Sequence, residues 1–284
     1  MPKSPTWLDR HASGVALLAV IPAAEWLREP DSRWEVVAAV VALLAVAGAW
    51  RANWPTRAVA FGVVLLAAAL AAGQRQLSRV QHDWPAERER RVSRAFQRLS
   101  GELQGTLRTT ERLADKARTL SQSDRTAAFA ELDRVLPRDG PETAVVILEP
   151  TGVPWAWAGR HRLVPEPEGD SLTTRFSRFF AVLESRRHSP SGRVIVATVL
   201  VWADSAVPWA DRSLAARFGA SAGVQLRVFT PGTAPAGGDI FDYTQPTSAG
   251  DRLLFSLQPV PPDQSVAEDE VGGEVSSWVG FALL

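Results

Sequence analysis

The sequence contains no cysteine, a single methionine, a single tyrosine and almost no lysine. Without cysteine, disulfide scaffolds, thiolate zinc sites and cysteine nucleophiles are excluded. The two lysines are Lys3 and Lys116, and arginine supplies the remaining positive charge, which reads as a coding bias rather than a function. Basic and acidic side chains number 31 each, so net charge is also lacking. A nucleic-acid binder ordinarily carries a basic excess, so no nucleic-acid partner is expected. Charge of either sign is scarce at one end of the chain. Eleven charged residues fall in the first 73 positions, and residues 36–50 and 58–73 hold none. The mean hydropathy of -0.05 is therefore an average over an apolar region and a polar one.

Three apolar runs open the chain, at residues 12–27, 34–50 and 58–73. A spanning helix needs about 20 apolar residues, so each run uses its flanks to reach the headgroups. Trp26, Trp34, Trp50 and Trp54 sit at run ends, where an interfacial aromatic belt places them. Buried core helices would each show a polar face, and the second and third runs show none. The pattern predicts a membrane region over residues 1–73 with three transmembrane helices and the lipid bilayer as partner. Lys3, Arg10 and the acid-free link RANWPTR at 51–57 favour an inside N-terminus. The chain then leaves the third span on the outer face of the plasma membrane. Five arginines between 75 and 91 oppose this orientation, and Asp83, Glu87 and Glu89 dilute them.

Residues 74–122 read as a connecting helix interrupted near Trp84-Pro85, where proline lacks a donor and restricts its predecessor. Beyond the break, Val92, Phe96, Leu99, Leu103, Thr106, Thr110, Leu113, Ala117 and Leu120 alternate steps of four and three. They form a heptad seam, with two threonines at its middle and Gly101 and Gly105 softening it. Such a seam serves a homodimeric coil or packs on the helix's own domain. Ser123-Asp124 is an N-cap for a short helix with Phe129, Leu132 and Leu136 on one face, ended by Pro137. Strands follow at 144–149 and 153–159 around a Pro-Thr-Gly turn, and later at 192–204, 224–230 and 252–260. Residues 172–186 read as a helix, 211–218 as a short helix, 231–238 as a loop and 259–273 as a linker. The apolar residues 278–284 (WVGFALL) are too few to span a bilayer and are expected to begin a truncated fourth span within 261–284.

This order predicts an α+β protein, in which N-terminal transmembrane helices precede an antiparallel sheet flanked by helices at 123–260. AVVILEPTGVPWAWAGR (144–160) and GRVIVATVLVWADS (192–205) resemble the first hairpin and the central strand of extracytoplasmic PAS-like, or Cache, sensor domains of bacterial receptors. The resemblance covers roughly residues 91–260. It implies the sensory input region of a membrane histidine kinase in the bacterial inner membrane, receiving a small-molecule or protein cue outside the cytoplasm. It implies no catalysis by this chain itself. A non-signalling envelope scaffold is the other reading.

Little in the sequence carries chemistry. His11, His82, His161 and His188 lack ligand-pair spacing, so no metal is expected, and no cofactor motif is present. Gly219-Ala220-Ser221-Ala222-Gly223 matches the letters of a nucleophile elbow. That elbow needs a strand before it and a histidine after it, and both are missing. The distinctive cluster surrounds Trp155 and Trp157, which share one strand face by alternation, with Arg160 and Arg162 beside them. Two indoles and two guanidinium groups could form a wall for an anionic or aromatic ligand. Asp204 and Tyr243 would complete it. The competing reading has both tryptophans filling the core and the arginines solvated.

Overall fold

A computed structural model of the chain describes residues 7–49 and 54–282. Lys3, Trp50, Arg51 and the last two residues of the terminal apolar stretch lie outside them. The described residues form an α+β fold with seven α-helices and two antiparallel sheets. They divide into two compact units. The first runs to Arg88 and resumes at Pro262, and the second is Glu89–Pro261.

The first unit is helical: α1 (Trp7–Arg28), α2 (Ser32–Ala49), α3 (Trp54–His82) and α7 (Gln264–Ala282). Asp31 starts α2 by accepting the Arg33 backbone N–H at 2.8 Å. Among the described residues two helical stretches, Ser32–Ala49 and Thr56–His82, are long and apolar enough to cross a membrane. Large apolar side chains lie on both the inside and the outside of this unit, and Trp26, Leu66, Leu70, Leu77 and Val80 are buried. Ala19, Ala23, Ala38, Ala42, Ala45 and Ala60 are buried between helices, while Leu18, Ile21, Val40, Leu43, Leu44 and Phe61 point outward. Residues 259–273, expected as a linker, instead contain the first half of α7. Glycines and acids hid a four-residue stripe, Ala267, Val271, Val275 and Val279, whose members are all buried. The apolar residues from 278 continue that helix. Helices α3 and α7 run antiparallel, with Gln264 donating to the Val80 carbonyl at 3.1 Å and Gly73 against Val275. A Cβ on Gly73 would overlap the Val275 Cγ2 and crowd the Trp26 ring. The Trp26 indole donates to Gln74 at 2.7 Å.

Helix α4 (Trp84–Leu120) begins one residue after α3 ends. Pro85 lies in its first turn, where a missing N–H costs nothing. Helix α5 (Arg125–Val135) is capped by Asp124, whose carboxylate accepts from the backbone of Thr126 and Ala127. The larger sheet has the order β2-β1-β5-β4-β3, all antiparallel. Its strands are β1 (Thr143–Leu148), β2 (Pro154–Gly159), β3 (Leu172–Phe176), β4 (Phe180–His188) and β5 (Val194–Ala203). The apolar run at 194–203 is thus the central strand. Gly152 adopts φ 82 in the β1–β2 turn, a conformation that favours glycine.

The helix expected over 172–186 is in fact the hairpin β3–β4. Leu172, Phe176, Phe180 and Leu183 recur at steps of four, four and three, which is helical spacing. Thr173, Thr174, Phe176 and Val182 favour the strand, and Ser177 makes the turn by accepting from the Phe179 and Phe180 backbone at 3.3 and 3.2 Å. After a 3-10 turn at Ala210–Arg212 and α6 (Leu214–Ala222), a second sheet of β6 (Gln225–Phe229), β7 (Phe241–Thr247) and β8 (Gly250–Val260) has the order β6-β8-β7. Strand β7 is absent from the sequence reading. It carries Pro246, which an edge strand accommodates.

The α4 seam is the spine of this unit. Ala95, Leu99 and Leu103 join one core with α6 and the second sheet, and Leu113, Ala114 and Ala117 join another with α5. The seam is consumed inside its own domain, so this face is not free for a second copy. Leu99→Ala or Leu113→Ala should each cost about 2–5 kcal/mol, as buried leucine truncations do. Melting curves of the two variants should show a loss that does not change with protein concentration, whereas a dimer seam would make it concentration-dependent.

Candidate functional site

The six residues singled out from the sequence do not converge. The ring of Trp155 is buried in the α4–α5 core, with the Arg193 guanidinium 3.9 Å from its centroid. Trp157 remains 46% exposed and meets Phe129 edge-on at 4.9 Å. A register shift between Ile147 and Leu148 interrupts the β1–β2 ladder beside these residues, and β2 is an edge strand that α5 packs against. Strict alternation therefore does not give the two indoles a common wall. Arg160 is exposed just past β2. Arg162 is committed internally, with its fork on Glu142 at 2.5 and 2.7 Å and its plane 3.7 Å from the Trp209 ring. Asp204 accepts the Ala206 N–H at 2.9 Å in a local turn. Tyr243 lies in the other sheet, 5.0 Å from Phe255. Burial pushes its phenol up to about 12. Only Arg162 belongs to a polar cluster, and there Glu142, Arg212 and Trp209 are its neighbours.

The sheet face turned away from α4 carries a buried ionic layer instead. Glu184 and Arg186 are 1% and 3% exposed and pair at 2.5 Å. Arg175 approaches Glu184 at 3.3 Å and Glu166 at 2.8 Å, and the Arg186 guanidinium also donates to the Glu166 and Asp170 carbonyls. Burial pushes the Glu184 carboxyl up, and the opposing pull of Arg186 and Arg175 does not cancel it. Nearby His161 has both ring nitrogens buried without a regular hydrogen bond. Burial holds its pKa below the ordinary value, although the Val145 carbonyl works the other way.

On the opposite face, the two threonines in the seam mark a gap between the two cores. Thr110 is buried and returns its hydroxyl to the Thr106 carbonyl at 2.9 Å. Alongside it opens a groove of about 330 Å³, lined by Glu102, Gly105, Thr106, Thr109 and Arg112 of α4, the 137–141 loop, Thr143 and Val199. This lies at the small end of ligand pockets, about 300–1,000 Å³. The Thr143 side chain is 8% exposed and its hydroxyl has no hydrogen-bond partner. Arg112 is held on its own helix, donating to the Arg108 carbonyl at 3.2 Å and to Thr109 at 3.1 Å. The groove combines a polar rim, a hydroxyl floor and an apolar wall, which suits binding of a small polar molecule. Among the described residues no cluster of histidines and carboxylates could hold a metal ion. No family model matches the chain, and no curated protein or solved structure matches it either.

Sequence reasoning missed the groove, yet two signals for it were in view. Thr106 and Thr110 interrupt an apolar seam, and Gly101 and Gly105 leave open space beside the helix. Glu184 and Arg186 were hidden by the helical reading, since on a strand they alternate with Ser185 and share one face with Val182.

The ionic layer gives two expectations. Glu184→Ala leaves Arg186 buried and uncompensated, and should cost about 3–5 kcal/mol in denaturant unfolding. The double variant Glu184→Leu with Arg186→Met should cost less than that single change. His161 contributes stability that is present above its ordinary value of about 6.5 and is lost as pH falls through its depressed folded value. Glu184 acts with the opposite sign, losing its contribution as pH rises through its raised folded value. The melting temperature of wild type minus that of His161→Phe should therefore fall as pH drops from about 7.5 to about 5.

Proposed function

We propose that the chain is the sensory input region of a membrane-bound receptor of the two-component histidine kinase type. In this reading residues 89–261 are an extracytoplasmic PAS/Cache-like domain carried by helices of the bacterial inner membrane. The observation that carries it is the insertion of that domain between α3 and α7, two helices packed antiparallel through Gly73 and Val275. A cue that favours one packing of the domain can bias the position of one helix against the other, as a signal through a bistable element requires.

Three further features support the reading. Alanines at several helix contacts and leucines and valines left exposed on the outside fit helix association in lipid, because lipid tails solvate leucine and valine as well as a core does. Alignment of α7 with α3 draws its apolar second half back along the third span, while Glu268, Asp269 and Glu274 precede that half. The five-stranded antiparallel sheet, its first hairpin with a glycine turn, its central β5 and the long preceding helix are the features that support reading the domain as PAS/Cache-like. A second reading, a non-signalling envelope scaffold, draws on exposed Val153 and Trp157 at the β2 edge of the sheet, an apolar pair available to a partner protein. A homodimer in either reading uses a surface other than the α4 seam.

The absence of cysteine makes sidedness directly measurable. Val164 is 81% exposed, so Val164→Cys in intact cells should react with a membrane-impermeant maleimide. Arg57→Cys in the first turn of α3 should react only after lysis. Labelling of Arg57→Cys alone in intact cells would reverse the orientation and remove the extracytoplasmic sensor.

A further inference from the structure

We propose that the groove beside the middle of α4 binds a small polar molecule carrying a protonated amine. The first argument is the unused hydroxyl. Thr143 is more than nine-tenths buried, lines the groove and has no partner for its oxygen. An unsatisfied buried polar group is costly, and a ligand hydroxyl or amine reaching this floor satisfies it. The second argument is the charge of the rim. Glu102 and Asp139 line the groove, and neither forms an ion pair among the described residues. The cation in the lining, Arg112, turns two of its N–H groups back to the Arg108 carbonyl and the Thr109 hydroxyl of its own helix. Two carboxylates against one guanidinium leave the lining acidic, and that balance favours an ammonium group over an anion. No aromatic ring lines the groove, so the cage that recognises quaternary ammonium ions is missing. A primary ammonium, which can donate hydrogen bonds to carboxylates and threonine oxygens at once, fits better.

The position explains the interrupted seam. Leucines at Thr106 and Thr110 would extend one apolar face over the whole of α4. Threonines there, with Gly105 adding no side chain, hold the two cores apart and leave room between them. Ligand binding would then rigidify the middle of the helix that follows α3 in the chain. This consequence rests on the sensory reading, whereas the binding itself does not.

The test uses the full chain in detergent micelles with glucosamine and putrescine as amine probes and glucose as the uncharged counterpart of glucosamine, at a pH where the amines are protonated. At least one amine should raise the melting temperature saturably, and glucose should give no saturable shift. Glu102→Gln combined with Asp139→Asn should weaken that response about tenfold or more, as loss of a charge-assisted hydrogen bond does. Thr143→Val keeps the shape of the side chain. It should leave the ligand-free chain equally or more stable while weakening the amine response. Equal shifts with glucose and glucosamine, no saturable shift with either amine, or a response untouched by the paired rim substitutions would overturn the proposal. So would calcium ion acting alone with the same dependence on Glu102 and Asp139, which would make the rim a metal site. Amine binding by a chain whose Val164→Cys proves cytoplasmic would overturn the extracytoplasmic reading and leave this inference standing.

Discussion

The antiparallel contact of α3 with α7 is the constraint on which the account depends. It is made by absence of bulk: Gly73 lets Val275 approach, and Trp26 closes over both while anchoring its indole on Gln74. At the other end Gln264 reaches the Val80 carbonyl. Because the second unit begins after Arg88 and ends at Pro261, the helices leading into it and out of it are held side by side. Glycine and alanine at the helix contacts permit close approach, and Trp26, Leu66, Leu70 and Val80 fill the remaining interior.

Within the second unit the governing element is α4. One helix face cannot serve two separate cores without a change of character between them, and the threonine step supplies it. The helix thereby holds α6 and the second sheet at one end, α5 at the other, and a polar groove between. The far face of the sheet solves a different problem. Glu184 and Arg186 are buried together, an arrangement that seldom adds net stability and in which burial outweighs ion pairing at the glutamate. The two faces of one sheet therefore carry polar groups of different kinds. One set is closed and satisfied by its own partners, and the other is open and left with an unused hydroxyl.

Much of the fold was legible in the sequence because its signals were long or local. The charge-free runs are helical as expected, and among the described residues two of the three expected spans are long and apolar enough to cross a membrane. The Asp124 cap, the glycine turn at 152 and the apolar run that became β5 read correctly. The failures share a cause in short or masked patterns. Leu172, Phe176, Phe180 and Leu183 keep helical spacing, and only the pairing of β4 with β3 and β5 makes the segment a hairpin. The stripe of α7 was concealed by the acids and glycines between its four small residues. Pro246 disguised β7, whose edge position depends on β8 arriving later in the chain. The candidate site was least legible, because Thr143 and Asp139 reach α4 only through tertiary packing. The tryptophan pair drew attention by rarity, but a bulge in the ladder separates the surroundings of its two members.

The most direct measurement is a cross-link across the α3–α7 contact in a chain that has no native cysteine. Gly73→Cys with Val275→Cys removes the side chain that a Cβ at 73 would overlap, and brings two Cβ atoms toward the separation of about 3.5–4.5 Å that a disulfide needs. Mild oxidation in membranes should convert this pair to the cross-linked form, while Gly73→Cys with Ser277→Cys, on the exposed side of α7, should remain reduced. Failure of the 73–275 pair to close, or equal closure of both pairs, would contradict the antiparallel packing and with it the account of a domain held between two joined helices.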